Sequence, residues 1–405
     1  MQTTHTLADT LPVGKVHLGP SDIPSRTCAF LTKQWEVLCK HLRIAVIYGN
    51  EKSDPGAVIY ETLNVRHWKS YEAVAHDIAE ALRKLGFRHV FTMPDGMTLP
   101  SALRRERIHL AWLNTGGVQG ASPLCHTPAM LEMLGIPYIG HNPFNAALLD
   151  NKHSFKLELA GLGLPTAPFL TWHAYDGRLN PTLDERFNAV FGDFRGPFIV
   201  KPVNGRASQH VHLVDTIEDL PDAVYETSLA TDNLVLIERF LPGREYCIAV
   251  AGGTVARNRE VGQSARPFTF SATERVLSAD EAIFTSMDQR PITEERIQLV
   301  DSAQHGQVRQ RLHDIAAAVY SKFHLETMIR LDIRADERGD LYILEANPKP
   351  DLARPKSGKI SIVCKGLSEE NMDYEDLILS LVIDRLHFLL QHRTKSIGHI
   401  MDILG

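Results

Sequence analysis

Several features that would place this chain outside the cytoplasm, in a membrane or on nucleic acid are scarce or missing. Cysteine is rare: five among 405 residues (Cys28, Cys39, Cys125, Cys247, Cys364), odd in number, far apart and without a Cys-x-x-Cys pair. Neither a disulfide framework nor a zinc site is therefore expected, and reduced, mostly buried thiols are. Apolar stretches fall well short of the roughly 20 residues a membrane helix needs. The segment Met1 to Ser25 has no apolar run, so no signal peptide is expected, and the expectation is a cytoplasmic protein without a membrane partner. Neither sign of charge is in large excess: 43 Lys and Arg stand against 49 Asp and Glu, a net −6. That leaves no basic stripe for nucleic acid. No repeat or low-complexity segment is present. What remains is an ordinary globular composition, 44% hydrophobic and 23% charged, long enough for two or three domains.

The richest segment is a pair of short alternating runs, Arg330 to Ile333 and Leu341 to Pro348, around the turn Ala335 to Asp340. Side chains alternate faces along a strand. Arg330 and Asp332 therefore share one face, and Glu345 and Asn347 share one face of the partner. Leu331, Ile333, Tyr342 and Leu344 are expected to point into the core. If the polar faces coincide, two carboxylates and an amide oxygen meet, hard ligands suited to Mg²⁺ (or Mn²⁺) carrying a nucleotide phosphate. A hairpin with one solvated face gives the same pattern.

A second block, Asn233 to Gly253, reads strand, short connection, strand, and carries Glu238, Arg239, Phe240, Leu241 and Glu245. Upstream, Lys201 ends the apolar run Phe198 to Val200, and the loop Val203 to Gln209, with Gly205 and Ser208, follows. Such a loop can present backbone N–H groups to an anion. Asp150-Asn151-Lys152 precedes Gly163-Leu164-Pro165-Thr166.

In this order the blocks resemble the ATP-grasp superfamily, most closely its D-alanine–D-alanine ligase branch, over residues 43–390. The resemblance implies an α/β fold: a Rossmann-like N-terminal domain followed by a two-part ATP-grasp fold. Alternating strands and helices in the first third agree with it. The expected division is an N-terminal extension over 1–40, a Rossmann-like domain over 41–142, a central subdomain over 143–235, and a C-terminal subdomain with the Mg/ATP site over 236–405. Expected helices include Ser70 to Leu85, Asn145 to Leu162, His305 to Phe323 and Tyr374 to Leu390.

The resemblance also implies roles. Lys152 and Lys201 would meet phosphates, with Ser208 in the covering loop. Glu238, Arg239 and the peptide groups of Phe240 and Leu241 would form the adenine hinge, and Glu245 would accept from the ribose hydroxyls. Asp332, Glu345 and Asn347 would bind the metal, and Arg330 would stabilise the tetrahedral species. Gly262 to Leu277 is expected to be the mobile loop over the phosphates, with Arg266 or Arg275 replacing the loop lysine of the ligases. The reaction implied is ATP-dependent carboxylate–amine ligation through an acylphosphate, on small amino acid or carboxylate substrates, in a homodimer.

The substrate regions depart from that branch. Tyr48 to Asp54 replaces the opening Gly-Gly loop, leaving Glu51 or Asp54 to hold an ammonium group. Asn114 to Gly120 lacks the histidine of the ligases. Pro348 to Ser357 is richer in positive charge, so Arg354, Lys356 or Lys359, beside Ser357, is expected to receive an anionic acceptor. Two alternatives stay open: a ligase for a non-amino-acid carboxylate or peptide terminus, and a non-catalytic nucleotide-binding protein.

Overall fold

A computed structural model describes residues 17–18, 26–49, 70–118, 122–205, 209–278, 281–283, 293–356 and 361–405. The first unit is a parallel sheet of four strands in the order His89–Pro94, Arg43–Tyr48, Leu110–Asn114, Tyr138–Ile139. The central strand Arg43–Tyr48 buries Ile44, Ala45, Val46 and Ile47 in succession, as a strand covered on both faces must. The helix Glu72–Lys84 packs Ala75, Ile78, Ala79 and Leu82 inward, a spacing of i, i+3, i+4 and i+7. Gly86 at φ 106° lets the chain turn out of that helix.

The expected single helix over Asn145 to Leu162 is two helices, Pro143–Asp150 and Lys152–Gly161. Asn151 takes an extended conformation between them, and its side chain accepts from Ser154 N at 2.9 Å. A short polar side chain that caps the next helix competes with helix continuation. The break sets Lys152 at a helix start.

Two antiparallel sheets follow. One has the order Phe169–Trp172, Val235–Arg239, Phe198–Pro202, His212–Val214. The other runs Ile297–Leu299, Phe268–Arg275, Glu245–Ala251, Ile329–Ala335, Leu341–Asn347. The expected boundary at 235/236 falls inside Val235–Arg239, whose ladder partners both belong to the first of these sheets.

The helix Tyr374–His392 opens on Asp373, which forms a capping box with Asp376. Leu377, Ile378, Leu381 and Val382 on this helix share one core with Ile44, Ile78 and Leu82 of the first unit and with Val255 and Val261. That shared core fixes the parallel sheet against the body that carries the site. The region expected as a mobile loop, Gly262 to Leu277, is instead mostly ladder: its start lies in the strand Glu260–Gln263, and Phe268–Arg275 pairs with Glu245–Ala251. Thr269, Ser271 and Thr273 alternate with apolar Phe268, Phe270 and Ala272, which is a strand pattern rather than a loop pattern.

Candidate active site

The terminal hairpin brings its polar residues together through its register. Asp332 lies opposite Glu345 and Arg330 opposite Asn347, with an irregularity between Asp332 and Ile333. That bulge moves one residue of parity on the partner strand. Leu341, Ile343 and Ala346 face the core with Leu331 and Ile333, whereas Leu344 and Glu345, adjacent in sequence, both line a cleft. Tyr342 and Leu344 are therefore not the core residues that strict alternation predicts. A two-against-one bulge re-aims side chains in this way.

Three strands align a row of charge. Glu245 is opposite Arg275 on one side and Arg334 on the other. Arg275 donates to Glu245 Oε1 at 2.7 Å and to Asp332 Oδ2 at 3.1 Å. Arg330 binds Asp332 with both ends of its fork, at 2.8 and 3.0 Å. Arg334, buried, lies 3.5 Å from Glu245 Oε2, packs over the Phe240 ring and donates to the Ala282 carbonyl at 2.7 Å. Burial opposes the charge on Asp332, but Arg275 and Arg330 outweigh it and hold its pKa at about 2.

The other sheet supplies the opposite wall. Glu238 pairs with Ile199 across the ladder, and Lys201 lies two residues along on the same face. Lys201 forms an ion pair with Glu238 Oε2, and Lys156, from the helix Lys152–Gly161, lies 2.5 Å from Oε1. Burial again works against the carboxylate, and the two lysines outweigh it, lowering the Glu238 pKa to about 2. Lys152 donates to the Gly205 carbonyl at 2.8 Å and stands 3.4 Å from Glu345. Lys152, Lys201, Glu238, Phe240, Leu241, Glu245, Arg275, Asp332 and Glu345 thus line one cleft between the two antiparallel sheets. The Phe240 N–H is taken by the Pro197 carbonyl at 3.1 Å. The Arg239 guanidinium pairs with Glu337 at 2.7 Å and covers the Phe194 ring.

Asp332 and Glu345 stand opposite each other on paired strands, and Asn347 donates from Nδ2 to Asp332 Oδ2 at 3.4 Å. Among the described residues no three His, Cys, Asp or Glu side chains form a metal cluster. The donor set fits Mg²⁺, which is held through one or two carboxylates and completed by phosphates and water.

Other sequence-predicted residues fall elsewhere. Arg266 is exposed in a bend two residues before the strand that carries Arg275. Arg354 pairs with Glu375 at 2.8 Å over the Tyr374 ring, and Lys356 pairs with Asp77 at 2.9 Å. These two cations tie the helices Tyr374–His392 and Glu72–Lys84 to the loop after Asn347 instead of facing the cleft. Glu51, Asp54, Ser208, Ser357 and Lys359 lie outside the described residues. Lys156 and Arg334 were not singled out from sequence. Their signals were present: Lys156 is four residues past Lys152 on one helix face, and Arg334 continues the alternation Arg330, Asp332.

Residues 159–383 match the family model described as D-ala D-ala ligase C-terminus. An uncharacterized protein of Sinorhizobium fredii is 28% identical over 259 residues, 63% of this chain and 70% of that protein. D-alanine–D-alanine ligase B of Chromobacterium violaceum is 25% identical over 354 residues, 85% of this chain and 98% of the ligase. The crystal structure of a Bacillus anthracis D-alanine–D-alanine ligase complexed with ATP superposes with a TM-score of 0.61 at 18% identity, covering 88% of this chain and all of that one.

Proposed function

The chain belongs to the D-ala D-ala ligase family, whose C-terminal model matches more than half of it, and on that premise we propose that the cleft between its antiparallel sheets is where ATP drives the joining of two small amino acids. The observation that carries this reading is the convergence of Lys201 and Glu238 from one sheet, Lys152 from the start of a helix, and Glu245, Arg275, Asp332 and Glu345 from the other sheet. Phosphoryl transfer depends mostly on positioning and charge neutralisation, so a cleft of this composition suits it.

The roles follow from the chemistry of each group. Glu238, held as a carboxylate, accepts from the exocyclic amine of adenine, beside the Phe240 carbonyl and the Leu241 N–H. Glu245 accepts from ribose hydroxyls. Lys152, Lys201 and Arg275 neutralise phosphate oxygens. The carboxylate of the first amino acid attacks the γ-phosphorus and displaces ADP, giving an acylphosphate. The amine of the second attacks the acyl carbon, phosphate departs, and the nitrogen loses a proton. Arg330 neutralises the oxygen charge that develops in that second step. Asp332, Glu345 and Asn347 would hold Mg²⁺ (or Mn²⁺), which when bound neutralises phosphate charge.

D-alanine is the first substrate to test, because named relatives are D-alanine–D-alanine ligases. The substrate end also supports a second reading, a dipeptide of other amino acids. Where the ligases carry a histidine loop, Thr115 donates to the buried Asp95 at 2.8 Å. Lys349, two residues past Asn347, sits over the Tyr71 ring at 3.3 Å from its centroid. Phosphate release from Mg·ATP with single and paired L- and D-amino acids, with mass spectrometry of the products, separates the two. D-Ala-D-Ala from D-alanine alone supports the first, a different dipeptide supports the second, and no stimulated release with any pair refutes both.

We further propose a cytoplasmic homodimer that uses neither nucleic acid nor membrane. No described helix is long and apolar enough to cross a membrane. The exposed Met133 and Phe144 offer apolar surface for a second copy, which sedimentation tests.

A further inference from the structure

Glu238 is held by two lysines that differ in kind. Lys201 lines the cleft. Lys156 does not line it: its side chain is 0% exposed, and Phe169 lies beside its ammonium group, 5.6 Å to the ring centroid. The ammonium donates to Thr166 Oγ1 at 2.8 Å. The Thr166 hydroxyl in turn donates to the Ile343 carbonyl at 3.3 Å, which directs an oxygen lone pair at Lys156. Lys156 is thereby fixed to the hairpin that carries Glu345 as well as to Glu238.

We propose that Lys156 is a positioning residue, the standing counter-ion that keeps Glu238 an anionic acceptor when Lys201 turns to nucleotide phosphates, and so sets the preference for a base with an exocyclic amine over one with a keto oxygen. The inference rests on the nucleotide reading of the cleft given above. One ammonium group cannot neutralise a triphosphate and a buried carboxylate equally well. A buried carboxylate that loses its cation is uncompensated and takes up a proton instead. An ionised carboxylate only accepts hydrogen bonds, whereas a protonated one also donates. With Lys156 in place Glu238 welcomes the 6-amino group of adenine and repels the 6-keto oxygen of hypoxanthine. Without it that distinction collapses.

The test is titration of ATP and of inosine triphosphate, each with Mg²⁺, into the full chain and four variants. Wild type should bind ATP more tightly. Lys156→Met should cut the ATP-to-ITP affinity ratio at least tenfold, and Thr166→Val several-fold. Lys156→Arg, which keeps the charge, should restore most of the ratio. Lys201→Met should weaken both nucleotides while leaving their ratio within about twofold. If Lys156→Met does not fold, the Thr166→Val ratio decides. Wild-type binding of ATP together with an unchanged ratio in the folded Lys156→Met or Thr166→Val protein overturns this proposal alone. A wild type that binds ATP without preferring it to ITP also overturns it. A wild type that binds neither nucleotide overturns the reading of the cleft itself.

Discussion

Replacing Arg275 with methionine separates the two loop arginines that the sequence offered as equivalents. Arg275 bridges Glu245 and Asp332, at 2.7 and 3.1 Å, and Arg266 does not reach either. The strand Phe268–Arg275 has eight residues, so at about 3.3 Å per interval its two ends stand roughly 20 Å apart, with Arg266 before the far end. Loss of one charge-stabilising group at a phosphoryl-transfer centre costs on the order of 10²–10³ in rate, or about 3–4 kcal/mol in barrier. The stability cost should be smaller. Breaking a buried pair outright costs about 3–5 kcal/mol, but here Glu245 keeps Arg334 and Asp332 keeps Arg330. Arg275→Met should therefore lose turnover by two to three orders of magnitude and destabilise the fold by about 1–3 kcal/mol. Arg266→Ala should leave both unchanged. Phosphate release at saturating ATP gives the rate, and urea unfolding gives the stability. Full turnover in Arg275→Met, or a large loss in Arg266→Ala, would refute the assignment of Arg275 to the phosphates.

Three further outcomes are expected. Glu345→Gln should abolish phosphate release and leave ADP binding measurable by calorimetry, and chelation of divalent metal should have the same effect on release; persistent turnover would remove Glu345 from the metal site. Arg354→Ala should lower stability by about 1–3 kcal/mol by stripping Glu375 of its close partner, while kcat/KM for each amino acid stays within about twofold; a selective change in acceptor preference at unchanged stability would return Arg354 to the substrate site. Asp384 is buried, accepts from Thr254 N at 3.1 Å, and burial raises its pKa to about 6. Its native state then holds a proton that the unfolded state, with an ordinary Asp value near 3.9, has lost, so its contribution to stability falls as pH rises from about 4 to 6 and remains absent above that. Asp384→Asn keeps an acceptor for Thr254 and removes the charge. The variant-minus-wild-type stability should therefore rise between pH 4 and 6 by up to about 3 kcal/mol, and a flat difference across that window would show that Asp384 is not strained by burial.

The fate of the individual residues shows where sequence was informative. Local signals placed the elements well. The run Arg43 to Tyr48 is the buried central strand of the parallel sheet, and the helix over Ser70 to Leu85 stops at Gly86 as its spacing predicts. The shared faces of Arg330 with Asp332 and of Glu345 with Asn347 also follow from alternation and hold in the structure. Long-range pairings were not readable. The bulge beside Asp332 depends on the register of two strands, so no feature of Leu341 to Asn347 alone could tell that Ile343 rather than Leu344 enters the core. The strand Phe268–Arg275 was mistaken for a loop because its charged end and the Gly262 before it hid its pairings to the strands on either side. Lys156 illustrates the deeper limit. A lysine on a short helix is ordinarily solvated, and what buries this one is Glu238, 82 positions further along the chain, on a strand of another unit of the sequence. Its charge can stay inside only because that carboxylate and Thr166 arrive from different elements at the same point. The residues proposed to touch ligand were thus legible from motif and alternation, whereas those that keep them charged become visible only once the two sheets face each other.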